Sequence, residues 1–133
     1  MQIDDQGVTE EVRAVFEWYE AALMGNDTAV LDELFWADPR TVRFGVAELL
    51  YGHDAIRAFR AGVRSYPQRL HRRVVITTFG TDFATTNLEF ERRGSGQVGR
   101  ETKIMARLPG AGWCIVSAHV SLLAGGDPAR AAR

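Results

Sequence analysis

The feature that most constrains this chain is a change of hydrophobic period near its midpoint. Before Pro67, apolar residues recur at three- and four-residue intervals, a spacing typical of amphipathic helices. From Arg72 onward, apolar and polar residues alternate in runs rich in β-branched side chains, which is typical of strands. The sequence therefore predicts an α+β fold in which helices come first and an antiparallel sheet follows.

Three helices are expected in the first part, at about residues 9–25, 28–35 and 54–65. The first two are separated by about three residues and form a hairpin. Asp38-Pro39 ends the second helix, because proline cannot continue the helical hydrogen-bond ladder. A short extended run follows at residues 41–44.

Four strands are expected in the second part, at about residues 72–79, 83–92, 98–108 and 113–123, and short turns join them into a meander. A strongly bent sheet wrapped around the helix hairpin makes a cone with an internal cavity. We expect a single domain at 9–123, with flexible termini at 1–8 and 124–133.

Composition excludes several classes of protein. The net charge of −1 gives no electrostatic reason to expect nucleic acid or an anionic membrane as a partner. No apolar run approaches the length of a membrane span, and the acidic N-terminus lacks the order of a signal peptide. One cysteine, Cys114, excludes an internal disulfide framework and fits a reducing compartment. We therefore expect a cytoplasmic protein.

Metal and nucleotide sites are not indicated. His53, His71 and His119 lie far apart, and no pair of histidines or cysteines has the spacing of a zinc site. The glycines form no phosphate-binding loop, and Cys114 is best interpreted as a small core residue. The sequence predicts neither a metal nor an organic cofactor.

Arg43 is an unusual residue, because it is a cation within a short extended segment between bulky apolar groups. Arg57 and Arg60 follow downstream, one helical turn apart. This arrangement suits the wall of a pocket for an anionic substrate, in which a guanidinium clamps a carboxylate. The alternative is a surface residue paired with Glu48 or Glu17.

Tyr19 lies on the apolar stripe of the first helix and should face the interior. It is either a core tyrosine whose hydroxyl bonds to a carbonyl, or a phenol that donates or transfers protons to a polar substrate.

The last strand carries a polar row. Ser117, His119 and Ser121 share one face, which lines a pocket or faces water, and the alternation alone does not choose between them. His119 is the best candidate for a general base.

Four blocks of the sequence resemble the AtzH/HpxZ branch of the NTF2-like superfamily, over about residues 9–123. They read LDELFWADPRTVRFG, LYGHDAIRAFR, RVVITTFGTDFAT and WCIVSAHVS. The resemblance implies a cone-shaped α+β fold, with three helices packed in a bent sheet.

It also implies an activity in the catabolism of nitrogen-rich compounds, including oxalurate and derivatives of cyanuric acid. The AtzH type is a small amidohydrolase that converts 1,3-dicarboxyurea to allophanate with release of ammonia or carbon dioxide. Proteins of this branch are associated with an amidase, which is a possible partner.

Tyr19 and Arg43 occupy the positions of the two residues that the resemblance marks as essential. Arg43 is expected to pair with a substrate carboxylate, and Tyr19 to orient the amide or pass a proton to the leaving group. The residues expected to complete the pocket wall are Trp36, Tyr51, Phe59, His119 and Ser121.

Two other functions stay open. One is a non-catalytic module that binds a metabolite or supports an amidase. The other is an isomerase or dehydratase of the SnoaL or ketosteroid type, for which Asp38 and His119 are the available bases. In each case we expect a homodimer formed through the outer face of the sheet, because three helices cannot cover all of its apolar residues.

Overall fold

Three helices pack against one face of a six-stranded sheet in the computed structural model, which describes residues 1–125. The helices are α1 (Gln6–Met24), α2 (Thr28–Leu34) and α3 (His53–Ala61). The strands are β1 (Val42–Phe44), β2 (Leu49–Tyr51), β3 (Arg69–Phe79), β4 (Phe83–Arg92), β5 (Val98–Leu108) and β6 (Gly112–Leu122).

Helix α1 begins earlier than the sequence predicts. Asp5 caps it by accepting a hydrogen bond from the backbone N–H of Val8. The hydroxyl of Thr9, at the predicted start of the helix, instead lies 3.2 Å from that of Thr78. Ile3 forms a β-bridge with Phe79, so part of segment 1–8 lies against the sheet. Within the other terminus expected to be flexible, residues 126–133 lie outside the described part of the chain.

Helix α3 ends at Ala61 rather than at residue 65. Glycine is unfavourable in a helix interior, and the N–H of Gly62 bonds to the carbonyl of Phe59 in a tight terminal turn. The chain between Gly62 and β3 is therefore a loop, and it carries Tyr66. This loop becomes part of the candidate site.

The strand order in the sheet is β2-β1-β6-β5-β4-β3. The predicted meander of β3 to β6 is confirmed, with antiparallel neighbours throughout. Strand β1 joins it by running parallel to β6, and β2 pairs with β1 as the edge. The sequence does not predict β2, because its three residues are all apolar and show no alternation. The α+β class is confirmed.

The inner face of the sheet holds the core together with the helices. Ala84 and Leu88 of β4, Met105 of β5, and Ala118 and Val120 of β6 are buried there. The hydrophobic positions of α1 pack on the same side, including Val12, Phe16, Tyr19 and Leu23.

A shift in register changes the faces of β6. Ile104 of β5 pairs with Ser117, but the next residue, Met105, pairs with Ile115, so Val116 is an extra residue in β6, as in a β-bulge. Consequently Ile115 is buried, although it has the parity of the exposed His119 in the same strand. Strand β5 pairs regularly with β4, with Met105 buried and Ile104 44% exposed.

Candidate functional site

A cavity of about 260 Å³ lies between α1, the β1–β2 turn, α3 with the loop after it, and the inner face of the sheet. Seven polar and seven apolar residues line it. The polar ones, which we call the polar wall, are Tyr19, Arg43, Glu48, Tyr66, Arg69, Arg92 and Glu101. The apolar residues are Leu23, Val46, Phe59, Val63, Pro67, Phe90 and Val120.

Arg43 enters the cavity from the middle of β1, where it pairs with Leu50 of β2 and Ala118 of β6. Its side chain is buried, and its guanidinium lies over the ring of Phe59, 5.3 Å from the centroid. Its Nη1 atom donates a hydrogen bond of 3.0 Å to Oε1 of Glu48. Of the two ion-pair partners weighed from sequence, the structure selects Glu48.

Gly45 provides the space in which this ion pair forms. A Cβ atom at that position would overlap the carboxylate of Glu48 and lie 3.0 Å from Nη1 of Arg43. The other oxygen of Glu48 accepts a bond from the backbone N–H of Ala47. Gly45, which follows Arg43 and Phe44, therefore has a steric function that its sequence position alone does not reveal.

Tyr19 reaches the cavity from the buried side of α1 and is 1% exposed. Its hydroxyl oxygen accepts a hydrogen bond of 2.9 Å from Nη2 of Arg60. The ammonium of Lys103 lies 3.8 Å from the centroid of its ring, within the range of a cation–π contact. Both cations that contact Tyr19 are themselves buried.

Arg60 lies behind the cavity wall, fully buried, and contacts the two tyrosines that line it. Its Nη1 atom donates to the hydroxyl of Tyr66 at 2.8 Å, in addition to the bond to Tyr19. Burial alone would lower the pKa of Arg60, but the tyrosine oxygens beside it raise the pKa above its ordinary value. The guanidinium therefore stays charged in an aromatic environment.

A buried ion network forms the side of the cavity nearest the sheet. Arg69 donates to both carboxylate oxygens of Glu20, at 2.9 and 2.7 Å, and to Glu101 at 2.8 Å. Lys103 makes an ion contact with Glu101 at 2.9 Å, and His71 lies 2.7 Å from Glu20.

Burial alone would raise the pKa of Glu101, but Lys103 and Arg69 hold it well below its ordinary value. Burial would likewise raise the pKa of Glu20, but Arg69 and Lys103 together lower it below its ordinary value. Both carboxylates are therefore charged at neutral pH, and neither is available as a general acid.

The structure brings three of the predicted site residues together and leaves four apart. Tyr19, Arg43 and Phe59 line the one cavity. The other four lie outside this cavity, and they are Trp36, Tyr51, His119 and Ser121.

These four residues lie on other parts of the surface. Trp36 lies in a separate surface groove with Arg57, and Tyr51 is 65% exposed on the edge strand. His119 and Ser121 alternate with the buried Ala118 and Val120, so they point to the outer face of the sheet. Strand alternation predicts this row of polar residues but not which side it faces.

Sequence reasoning missed most of the polar wall. Tyr66, Arg69 and Glu101 lie in a loop or on strands whose direction the sequence does not fix. The spacing of Arg57 and Arg60 is a usable signal, although only Arg60 is buried. Within residues 1–125, no group of three or more His, Cys, Asp or Glu side chains is arranged to hold a metal ion, and no helix is both long and apolar enough to cross a membrane.

Comparison with protein families gives one match, to a family described as AtzH-like, over residues 1–126. A comparison with curated proteins found no match.

Solved structures give close matches along most of the chain. A crystal structure of a protein of unknown function from Pectobacterium atrosepticum is 49% identical, with a TM-score of 0.88, and the match covers 92% of this chain and 95% of the other. A protein with a cystatin-like fold from Burkholderia xenovorans is 45% identical, with a TM-score of 0.89 and coverages of 93% and 98%.

A more distant match identifies the type of fold. An NTF2-like superfamily protein from Salmonella enterica serovar Typhimurium is 22% identical, with a TM-score of 0.73 and coverages of 92% and 95%. The cone-shaped NTF2-like fold expected from the sequence is therefore confirmed.

Proposed function

From the premise that this chain belongs to the AtzH-like family, we propose that it is a small, cofactor-independent enzyme that cleaves a C–N bond in a carboxylated urea or related small amide. A substrate of the 1,3-dicarboxyurea type fits the proposal, with a place in the breakdown of nitrogen-rich compounds in the cytoplasm.

One observation carries the proposal: Tyr19 and Arg43 reach the same small cavity from different elements of the fold. A buried guanidinium is suited to bind a carboxylate, and a phenol is a donor of hydrogen bonds and protons. The volume of about 260 Å³ suits a molecule of few atoms rather than a steroid-sized ligand.

The chemistry that we propose needs one proton transfer. In a carboxylated urea, the bond between the terminal carboxylate carbon and nitrogen breaks, and its electron pair stays on nitrogen. Tyr19 supplies a proton to that nitrogen and regains one from solvent, while carbon dioxide leaves. Arg43 binds the carboxylate that remains and offsets charge on the neighbouring carbonyl oxygen.

An isomerase or dehydratase has less support. Its two candidate bases are Asp38, which pairs with Arg40 at 2.9 Å outside the cavity, and His119 on the outer face. A non-catalytic module that binds the same ligand, alone or beside an amidase, is the alternative that the experiment must separate from an enzyme.

The experiment is a turnover assay on the purified chain with 1,3-dicarboxyurea, oxalurate and neutral biuret, in which ammonia and carbon dioxide are both measured. We expect turnover of a carboxylated urea and none of biuret. Tyr19→Phe and Arg43→Met should each lower kcat/KM by about a hundredfold or more.

Tyr51→Phe is the matched control, since it removes an exposed phenol outside the cavity and should leave kcat/KM unchanged. Binding of the substrate without turnover, with or without an added amidase, would show a binding module. Full activity in Tyr19→Phe and Arg43→Met would reject the proposed mechanism.

We also propose that the protein forms a homodimer through the outer face of the sheet. The outer face of the sheet exposes Val75 and Ile104 beside polar groups such as Asn87 and Thr102. Light scattering coupled to gel filtration should give a mass near twice that of the 14.8 kDa chain. A mass of one chain would exclude the dimer.

A further inference from the structure

Arg60 carries a charge where the fold has no need of one. It is fully buried, and its contacts within residues 1–125 include no carboxylate. Burying a guanidinium without a counter-ion costs more free energy than burying an apolar side chain of similar volume. Arg60 therefore needs an explanation beyond packing.

The two hydrogen bonds of Arg60 have a fixed direction. A guanidinium has donors and no acceptor, so Arg60 must donate to the hydroxyl oxygens of Tyr19 and Tyr66. Each hydroxyl keeps its own proton, and in the described part of the chain neither proton has an acceptor. Both tyrosines line the cavity, so an oxygen of a ligand bound there is the acceptor that their hydroxyls lack.

The two hydroxyls also lie close together. They bind Nη1 and Nη2 of one guanidinium, and these nitrogens are bonded to the same carbon atom. One small molecule in the cavity can therefore meet both tyrosines. Donation from a charged group also polarises each hydroxyl and makes it a stronger donor.

We propose that the hydroxyls of Tyr19 and Tyr66, held by Arg60, form a cradle that binds a carbonyl or carboxylate oxygen of the ligand. Tyr66 is then a further ligand-binding residue, and Arg60 is a positioning residue that acts through both phenols. The inference rests on the proposed function only in assigning the ligand to this cavity.

The cradle implies a ligand with two oxygen-bearing groups. Arg43, on β1, binds one carboxylate of the ligand. The cradle, formed by residues of α1 and the loop after α3, binds a second group. A small dicarboxylate should therefore bind more tightly than a monocarboxylate. A cavity with Arg43 as its only anchor would show no such preference.

Arg60 also makes packing contacts, and a test of the cradle must separate these from its hydrogen bonds. Its guanidinium also lies over the rings of Phe35, Tyr66 and Tyr19, at 5.4, 5.6 and 5.8 Å from their centroids. Methionine is of similar length and packs well against aromatic rings. Arg60→Met should thus keep the fold, and its thermal unfolding temperature should match or exceed that of the parent.

The test measures binding of malonate and acetate by isothermal titration calorimetry, which requires no turnover. The parent should bind malonate at least about tenfold more tightly than acetate. Arg60→Met and Tyr66→Phe should lose most of that preference, while Arg43→Met should weaken binding of both probes. Arg57→Met, on the exposed side of the same helix, should behave as the parent.

A double-mutant comparison separates positioning from packing. If Arg60 acts through the phenols, Arg60→Met should change malonate binding by less than about twofold once Tyr19 and Tyr66 are both phenylalanine. An undiminished effect in that background would overturn the cradle, as would unchanged malonate binding in Arg60→Met or equal affinity of the parent for both probes.

These outcomes are distinct from failure of the proposed function. Selective, Arg60-dependent binding of malonate by a protein without turnover would reject the enzyme and keep the cradle. Turnover that is insensitive to Arg60→Met and Tyr66→Phe would reject the cradle and keep the enzyme.

Discussion

The Nη1 atom of Arg43 donates a hydrogen bond of 3.0 Å to Oε1 of Glu48, five residues later on the other side of a tight turn. The guanidinium of Arg43 is thus already bound to a carboxylate of the protein itself, and both residues line the cavity. A ligand carboxylate that binds Arg43 must compete with this carboxylate or share the guanidinium with it.

Glu48→Gln should therefore tighten the binding of anionic ligands. Glutamine keeps the size of the side chain and a hydrogen-bond acceptor but removes the negative charge that opposes the ligand. We expect KM for a carboxylated urea, or the Kd for malonate, to fall by about three- to tenfold. Steady-state kinetics and calorimetry measure these values, and weaker binding would mean that Glu48 positions Arg43 rather than competing for it.

Gly45→Ala should damage the site more than the fold. The added Cβ meets the carboxylate of Glu48, which is the mobile end of a side chain and can move away. We expect a loss of unfolding free energy below about 1 kcal/mol together with a change in malonate affinity of the same sign as in Glu48→Gln. In a Glu48→Ala background, Gly45→Ala should have no further effect on malonate binding. An equal effect in that background would show that Gly45 is needed for another reason.

Glu101→Gln should destabilise the protein strongly. Glu101 is buried and faces Arg69 at 2.8 Å and Lys103 at 2.9 Å, so its removal leaves buried cations with too little compensating charge. Breaking such a buried pair costs about 3–5 kcal/mol. Denaturant unfolding measures the change, with Glu89→Gln as the control at an exposed carboxylate, where the loss should be below about 1 kcal/mol.

Acid should unfold the protein through the same network. The pKa values of Glu20 and Glu101 lie below the ordinary value of 4.5, so unfolding makes both carboxylates more basic. Their contribution to stability is complete above that value and declines as the pH falls through it toward the folded pKa values. Unfolding free energies measured from about pH 7 to pH 3 should fall, and less steeply in Glu101→Gln than in Glu89→Gln. Equal slopes would show that the network carries no such linkage.

Much of the fold follows from the sequence because it depends on local periodicity. The change of period near Pro67 predicts the helices, the meander and the α+β class, and the apolar stripe of α1 correctly places Tyr19 inside. The cavity depends instead on which way each strand faces and where it shifts register. A single extra residue, Val116, reverses the alternation within β6, and no local pattern marks it.

The polar wall was unpredictable for a related reason, since its partners are distant in the sequence. Glu20 binds Arg69, and Arg60 binds Tyr19, across 49 and 41 residues. Local spacing detected a pair of arginines on α3 but did not distinguish Arg60, which is buried, from Arg57, which faces the solvent.

The most direct test of the account is a crystal structure of the protein with bound malonate, because the central claim is that a small carboxylate occupies the cavity between Arg43 and Tyr19. We expect one carboxylate within hydrogen-bonding distance of the Arg43 guanidinium, with Glu48 displaced, and an oxygen of the other group beside the hydroxyl of Tyr19. Malonate bound outside the cavity, or a cavity that stays empty at a malonate concentration well above the measured Kd, would contradict the account.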